Sequence, residues 1–157
     1  MRLFIQRLVS CRVPRAQLQV LVDRALRLRV RRPASFRELS LVLADERTIR
    51  TMNRRYRRRD ESTDVLSFDY GEIVIGVPVA ERQAKAHGIS LADELALLFT
   101  HGLLHTLGFD HHRSADRVRM QAAEEKLLGF SGLVGRAVKN SKVKNQNLKL
   151  QVKRRKF

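Results

Sequence analysis

Two hydrophobic periods alternate along this chain. Leu3, Phe4, Ile5, Leu8 and Val9 form a short apolar stretch that predicts a strand over residues 2–9. From Pro14 to about Val30, Leu18, Leu21, Val22, Ala25 and Leu28 recur at helical spacing behind an opening proline. Arg31-Arg32-Pro33-Ala34-Ser35 reads as a turn, and Glu38 to Ala44 (ELSLVLA) as a second strand. Asp45 suits the N-cap of a helix over 46–57, with Ile49, Met52 and Tyr56 expected on its buried face. A polar loop, Arg58 to Thr63, leads to strands at 64–68 and 72–77 joined through Gly71. Pro78 opens a helix to His87 that Gly88 ends. Ser90 caps a long helix reaching about Leu107 and stopping at Gly108; Asp93 and Glu94 in its first turn complement the dipole. Ser114 caps a last helix to about Leu128. Strands and helices alternate, so the expected class is α/β (α+β): one domain with a small mixed β-sheet and packed helices. There is no internal repeat.

Composition narrows the partners. The 157 residues suit one domain, able to bury roughly 70% of its unfolded surface. Net charge is +16, which puts polyanions first among partners, nucleic acid ahead of an acidic membrane surface. Tryptophan is absent and aromatics are 6%, so a broad aromatic platform for stacked bases is not expected. The single cysteine, Cys11, excludes an intramolecular disulfide and a Cys-rich zinc site. It fits a reducing compartment, with the cytoplasm as the expected location. No apolar run approaches the ~20 residues of a membrane span, so no membrane partner is expected. Arg2, Arg7, Arg12 and Arg15 precede the first acid, Asp23, as in a transit peptide, but the apolar stretch there reads better as a strand.

The charge is unevenly placed. Residues 136–157 hold nine Lys/Arg and no acid, leaving 23 basic against 16 acidic residues, or +7, on residues 1–135. Residues 1–130 read as the folded domain and 131–157 as a basic, flexible arm.

The chemistry lies in residues 100–112, THGLLHTLGFDHH. His101 and His105, four apart on a helix, share one face and can reach one ion. His111 follows six residues later, with Gly108 between to turn the chain back. The pattern H-x3-H-x2-G-x2-H supplies three nitrogen ligands and leaves a fourth position open, as in catalytic zinc sites. His112 competes with His111 for the third place. His87 reads as a surface histidine at a helix C-terminus. The spacing is that of metzincin proteases, but those have a Glu base directly after the first His, where this chain has Gly102. Peptide hydrolysis is accordingly disfavoured.

HGLLHTLGFDH, residues 101–111, resembles the H-G-x-L-H-L-x-G-[YF]-D-H signature of the YbeY proteins, which are zinc-dependent endoribonucleases and rRNA maturation factors; Thr106 stands where Leu is usual. Asn53-Arg54-Arg55-Tyr56-Arg57 resembles that family's N-x-x-Y-R, Thr63 to Phe68 its T-[DN]-V-L-S-F, and Gly71-Glu72-Ile73 its G-D-[IL]. Met120 and Glu124 fit its C-terminal helix. Asp69 replaces the family's Pro after S-F, and the following loop is unusually short. The resemblance spans about residues 2–130.

It implies one Zn2+ held by His101, His105 and His111, with Arg57 as the catalytic arginine. It implies a single-strand-specific endoribonuclease in rRNA processing (the 3′ end of 16S-type small-subunit rRNA) and ribosome quality control, partnered with ribosomal RNA and the small ribosomal subunit. Arg54, Arg58 and Ser67 are candidate substrate contacts, and Asp110, between the ligands, a candidate partner orienting a histidine. Chemically, three imidazoles and a metal suit an RNA phosphate, whose added transition-state charge an arginine can clamp. The alternative is a non-catalytic rRNA-binding assembly factor with a structural zinc. Arg47, Arg50, Arg54, Arg55, Arg57, Arg58 and Arg59 fall within thirteen residues; Arg47 and Arg50 read as a solvated helix face. Deleting 136–157 is expected to weaken RNA affinity and flatten its dependence on salt, measured by binding titrations at several ionic strengths; an unchanged slope would show that the arm makes no phosphate contacts.

Overall fold

A computed structural model describes residues 1–28, 36, 38–109 and 113–129. Asp110, His111, His112, the expected turn at 31–35 and the basic arm at 131–157 lie outside the described residues.

The elements follow the order β1 (Leu3–Arg7), α1 (Arg15–Ala25), β2 (Leu39–Ala44), α2 (Glu46–Arg57), β3 (Val65–Ser67), β4 (Glu72–Gly76), α3 (Val77–His87), α4 (Leu91–Thr106) and α5 (Ser114–Gly129). The sheet runs β1-β2-β4-β3. β1, β2 and β4 are parallel and β3 is antiparallel to β4, pairing Val65 with Ile75 and Ser67 with Ile73. The expected class, a mixed sheet with packed helices, is the one observed. Among the described residues no helix is long and apolar enough to cross a membrane.

Strand alternation separates two cores. Leu39, Leu41, Leu43, Ile73 and Ile75 turn to one face, against Leu18 and Leu21 of α1, Leu95, Phe99 and Leu103 of α4, and Met120 and Leu127 of α5. Ala44, Leu66 and Val74 turn to the other, against Ile49 of α2. β2 is buried on both faces, which explains its nearly unbroken apolar run. Asp45 caps α2 by accepting the Thr48 backbone N–H at 2.7 Å, and this bond holds its carboxyl below the ordinary range.

Three expectations change. α1 ends at Ala25, short of Val30, and Leu26 and Leu28 pack against the core from beyond its end. Tyr56 is 52% exposed, and Asn53 takes the buried place on α2, its Nδ2 donating to the Glu61 carbonyl at 2.8 Å. The polar loop claims that position because its backbone needs a donor there. His87 is no surface residue: its Nδ1 lies 3.0 Å from Glu94 Oε2, with side chains 10% and 2% exposed. Glu94 thus joins the start of α4 to the end of α3 rather than only facing the helix dipole.

α4 sits very close to the sheet at Gly102. A Cβ there would lie 2.9 Å from Ile73 Cγ2 and 3.3 Å from Val65 Cγ2. Both neighbours are short, β-branched side chains with little freedom to move aside. Gly102→Ala should therefore destabilise the fold by about 1 kcal/mol in urea unfolding, because overpacking outweighs the better helix propensity of Ala. A more stable variant would show that α4 can lift without cost.

Candidate functional site

Local chain geometry builds the histidine pair. Ser90 Oγ accepts the Asp93 backbone N–H at 3.1 Å and starts α4, which carries His101 and His105 on one flank beside Gly102. At the other end Gly108 adopts φ +90°, a left-handed conformation that suits glycine. Phe109 N–H then bonds the Leu104 carbonyl at 3.0 Å and Gly108 N–H the His105 carbonyl at 2.9 Å, the two bonds of a Schellman motif. This turn brings the Phe109 carbonyl back over the helix, 3.0 Å from His105 Nδ1.

His101 is held from α5. Its Nδ1 lies 2.7 Å from Glu124 Oε1, with both side chains partly exposed. Met120, Ala123, Leu127 and Leu128 form the buried stripe of α5, and Glu124 stands at its margin. Each Nδ1 therefore faces an acceptor and carries the proton, leaving the lone pair on Nε2. The two Nε2 atoms are 3.2 Å apart. Two lone pairs facing at that distance repel unless a cation or proton lies between them. Nitrogens bound at 2.0–2.1 Å to a tetrahedral ion stand roughly 3.3 Å apart, so the pair fits a metal. Among the described residues no group of three or more His, Cys, Asp or Glu side chains forms a metal-holding cluster; His111, the expected third ligand, lies outside them, as does Asp110.

Gly102 also bears on the protease comparison. The position of the metzincin base points into Val65 and Ile73, so a glutamate there could not reach water beside the histidines.

Ser67 lies on β3 opposite Ile73, the residue whose Cγ2 limits Gly102. Val65 and Ser67 thus share the face of this edge strand that turns to α4. Arg54 and Arg57 are exposed in the last turn of α2. Arg58 follows in the left-handed region at φ 57°, the one non-glycine residue with positive φ among those described. Among the described residues no hydrogen bond or ion pair joins these arginines to the histidines. Their loop is anchored by Arg50, whose Nε and Nη2 donate to the two Asp60 oxygens at 2.9 and 3.2 Å and hold the Asp60 carboxyl below its ordinary range.

Sequence reasoning missed three contributors. Glu124 was matched to the family's C-terminal helix but given no part beside His101, although it carried a signal, an acid at the margin of an apolar stripe on the last helix. The Phe109 carbonyl carried none beyond Gly108. The third is an aromatic strip. Tyr56 and Phe68 meet edge to face at 5.0 Å, and Phe68 and Tyr70 stack at 5.3 Å and 23°. Three of nine aromatic residues, both tyrosines included, converge here despite the low aromatic content.

The model of the family described as "Endoribonuclease YbeY" matches residues 7–132. Relatives named Endoribonuclease YbeY include one from Myxococcus xanthus, 47% identical over 62% of this chain and 37% of its own length. One from Heliobacterium modesticaldum is 43% identical over 64% of this chain and 74% of its own. One from Anaeromyxobacter dehalogenans is 40% identical over 67% and 60%. The chain thus spans between about a third and three quarters of these relatives' lengths. A solution structure from Thermotoga maritima aligns over 80% of this chain and 90% of its own, at 22% identity and TM-score 0.49.

Glu124→Gln keeps a hydrogen-bond acceptor but removes the charge that orients His101. It should weaken affinity for a divalent cation about 10- to 100-fold in chelator-competition titrations with Zn2+ as the probe, with unchanged unfolding. Equal affinity would show that Glu124 does not position a ligand.

Proposed function

The chain belongs to the YbeY endoribonuclease family, and from that premise we propose that it is a zinc-dependent endoribonuclease that cuts single-stranded RNA. The observation that carries this reading is the pair of Nε2 atoms 3.2 Å apart with both Nδ1 atoms engaged. It is an arrangement built for a cation, on the helix that bears the family's signature. The proposal extends to one Zn2+ on His101, His105 and His111, to ribosomal RNA of the small subunit as substrate, its 3′ end included, to a part in ribosome quality control, and to the cytoplasm as the location.

When bound, the ion supplies Lewis-acid polarisation of a phosphoryl oxygen or of water. The protein's own part is electrostatic and geometric. Glu124 and the Phe109 carbonyl keep both rings in the Nδ1–H tautomer, so the donor atoms do not reorganise when charge develops nearby. Arg57, at the exposed end of α2, presents a planar fork of donors suited to two phosphate oxygens. Arg54, Arg58 and Ser67 are proposed as substrate contacts, and Asp110, within the signature, is suited to orient a ligand. Excess positive charge on the protein draws the RNA in.

Cleavage mapping on ribosomal RNA, run beside metal analysis, tests the reading. Arg57→Ala should keep its metal and fold and lose about 10²- to 10³-fold in kcat/KM, as expected for one lost charge-stabilising donor. His105→Ala should lose metal and cleavage together. Full cleavage by Arg57→Ala would remove Arg57 from the chemistry. Metal-loaded wild type that cuts no better than His105→Ala would leave a non-catalytic rRNA-binding factor. A 2′,3′-cyclic phosphate end would identify the RNA 2′-hydroxyl, rather than water, as the attacking group.

A further inference from the structure

The aromatic strip lies on the side of β3 away from the histidines. Leu66 packs against the α2 core and Phe68 continues that face, whereas Val65 and Ser67 turn to α4. The turn after β3 creates the strip. Gly71, at φ +106°, donates to the Phe68 carbonyl at 3.0 Å, and Phe68 N–H donates to the Glu72 carbonyl at 2.9 Å. Only Asp69 and Tyr70 fill this turn, so Tyr70 is folded directly onto Phe68. Any side chain at residue 71 would run into the Glu38 carbonyl, so the turn cannot be relaxed there.

Tyr70 has one face on Phe68 and is still 46% exposed, so its other face is available. Its hydroxyl donates to Glu72 Oε1 in a long contact of 3.4 Å, while the ring itself is held by stacking on Phe68. Burial, helped by the Glu72 carboxylate, raises the phenol pKa, so the ring stays neutral at physiological pH. Charge is graded along the strip. At the Tyr56 end the Arg55 guanidinium lies 5.6 Å from the ring centroid, with Arg54, Arg57, Arg58 and Arg59 exposed beside it. At the Tyr70 end stand Asp69 and Glu72. Phosphate is favoured at the first end and repelled at the second, whereas a neutral, flat group is accepted at the second.

We propose that Tyr70, backed by Phe68, is a stacking site for an unpaired nucleobase of single-stranded RNA whose neighbouring phosphate meets Arg55 beside Tyr56. This rests on the RNA-cleaving reading and deepens it. The strip and the histidine pair occupy opposite sides of one edge strand. The stacked base therefore belongs to a nucleotide flanking the cut, not to the one being cut, and the RNA strand bends around β3. A duplex is excluded from the site because its bases are already stacked on each other.

The test uses the full chain and a 2′-O-methyl oligoribonucleotide, with binding followed by fluorescence anisotropy. Tyr70→Ala should bind it roughly tenfold more weakly than wild type, and Tyr70→Phe should bind as wild type. Among a set of oligonucleotides with one abasic position moved along the strand, one should lose the same factor with wild type and nothing with Tyr70→Ala. The slope of affinity against salt should be unchanged in Tyr70→Ala and reduced by about one in Arg55→Ala. Wild-type affinity in Tyr70→Ala, or equal sensitivity of both proteins to the abasic positions, overturns the proposal. Cleavage of unmodified RNA by wild type is measured in parallel. Stacking without cleavage removes the endoribonuclease reading alone, and cleavage with unaltered binding by Tyr70→Ala removes the stacking site alone.

Discussion

Helix α4 lies so near the sheet that residue 102 has no room for a side chain. Most of what matters in this molecule depends on that approach. It sets the height of the helix above Val65 and Ile73. It fixes the turn of α4 that carries residues 101 and 105 against β3 and β4. The same constraint bears on the chemistry. A carboxylate following the first histidine would have served as a base, but there it would instead meet two packed β-branched side chains. The histidine pair therefore stands without a carboxylate at the position that follows His101.

The second requirement is orientation. Two histidines one turn apart on a helix can adopt many rotamers and two tautomers each, and few combinations aim both lone pairs at one point. The chain removes that freedom by two unrelated means. For His105 it uses its own backbone, returned over the helix by the Schellman turn at Gly108. For His101 it uses Glu124, delivered by another helix whose position depends on the Met120 and Leu127 packing. The first device is local, and the second depends on tertiary structure. Damage to the packing of α5 therefore disturbs one ring and spares the other.

This difference also explains how far the sequence could be read. Helix caps, periodicity and the β2 run are local properties, and the positions of α2, α4 and the sheet follow from them to within a residue or two. The histidine spacing is local too, so the pairing of His101 with His105 was legible. Partners contributed across the fold were not. Glu124 reaches His101 over 23 residues of chain, and His87 is buried only because α3 and α4 pack with Glu94 between them. The exchange of Tyr56 for Asn53 on the buried face of α2 has a similar cause: a loop carbonyl outweighs the apolar value of a tyrosine. The aromatic strip escaped for a different reason. Composition counts rings and does not say that both tyrosines fall on one surface, an outcome of a two-residue turn.

The strand order carries a consequence for how the molecule assembles. β3, β4, α3 and α4 follow one another in sequence, and β3 with β4 is a hairpin, the kind of element that closes in about 1–10 μs. β1 and β2 are parallel, so they can pair only after the long α1 crossover has closed, which is entropically slower. The floor under Gly102 and the turn bearing Tyr70 therefore belong to the part of the chain able to order early, while the N-terminal strand joins late. Kinetic faults in forming β1 would cost yield of folded protein without changing the geometry of the site in those molecules that do fold.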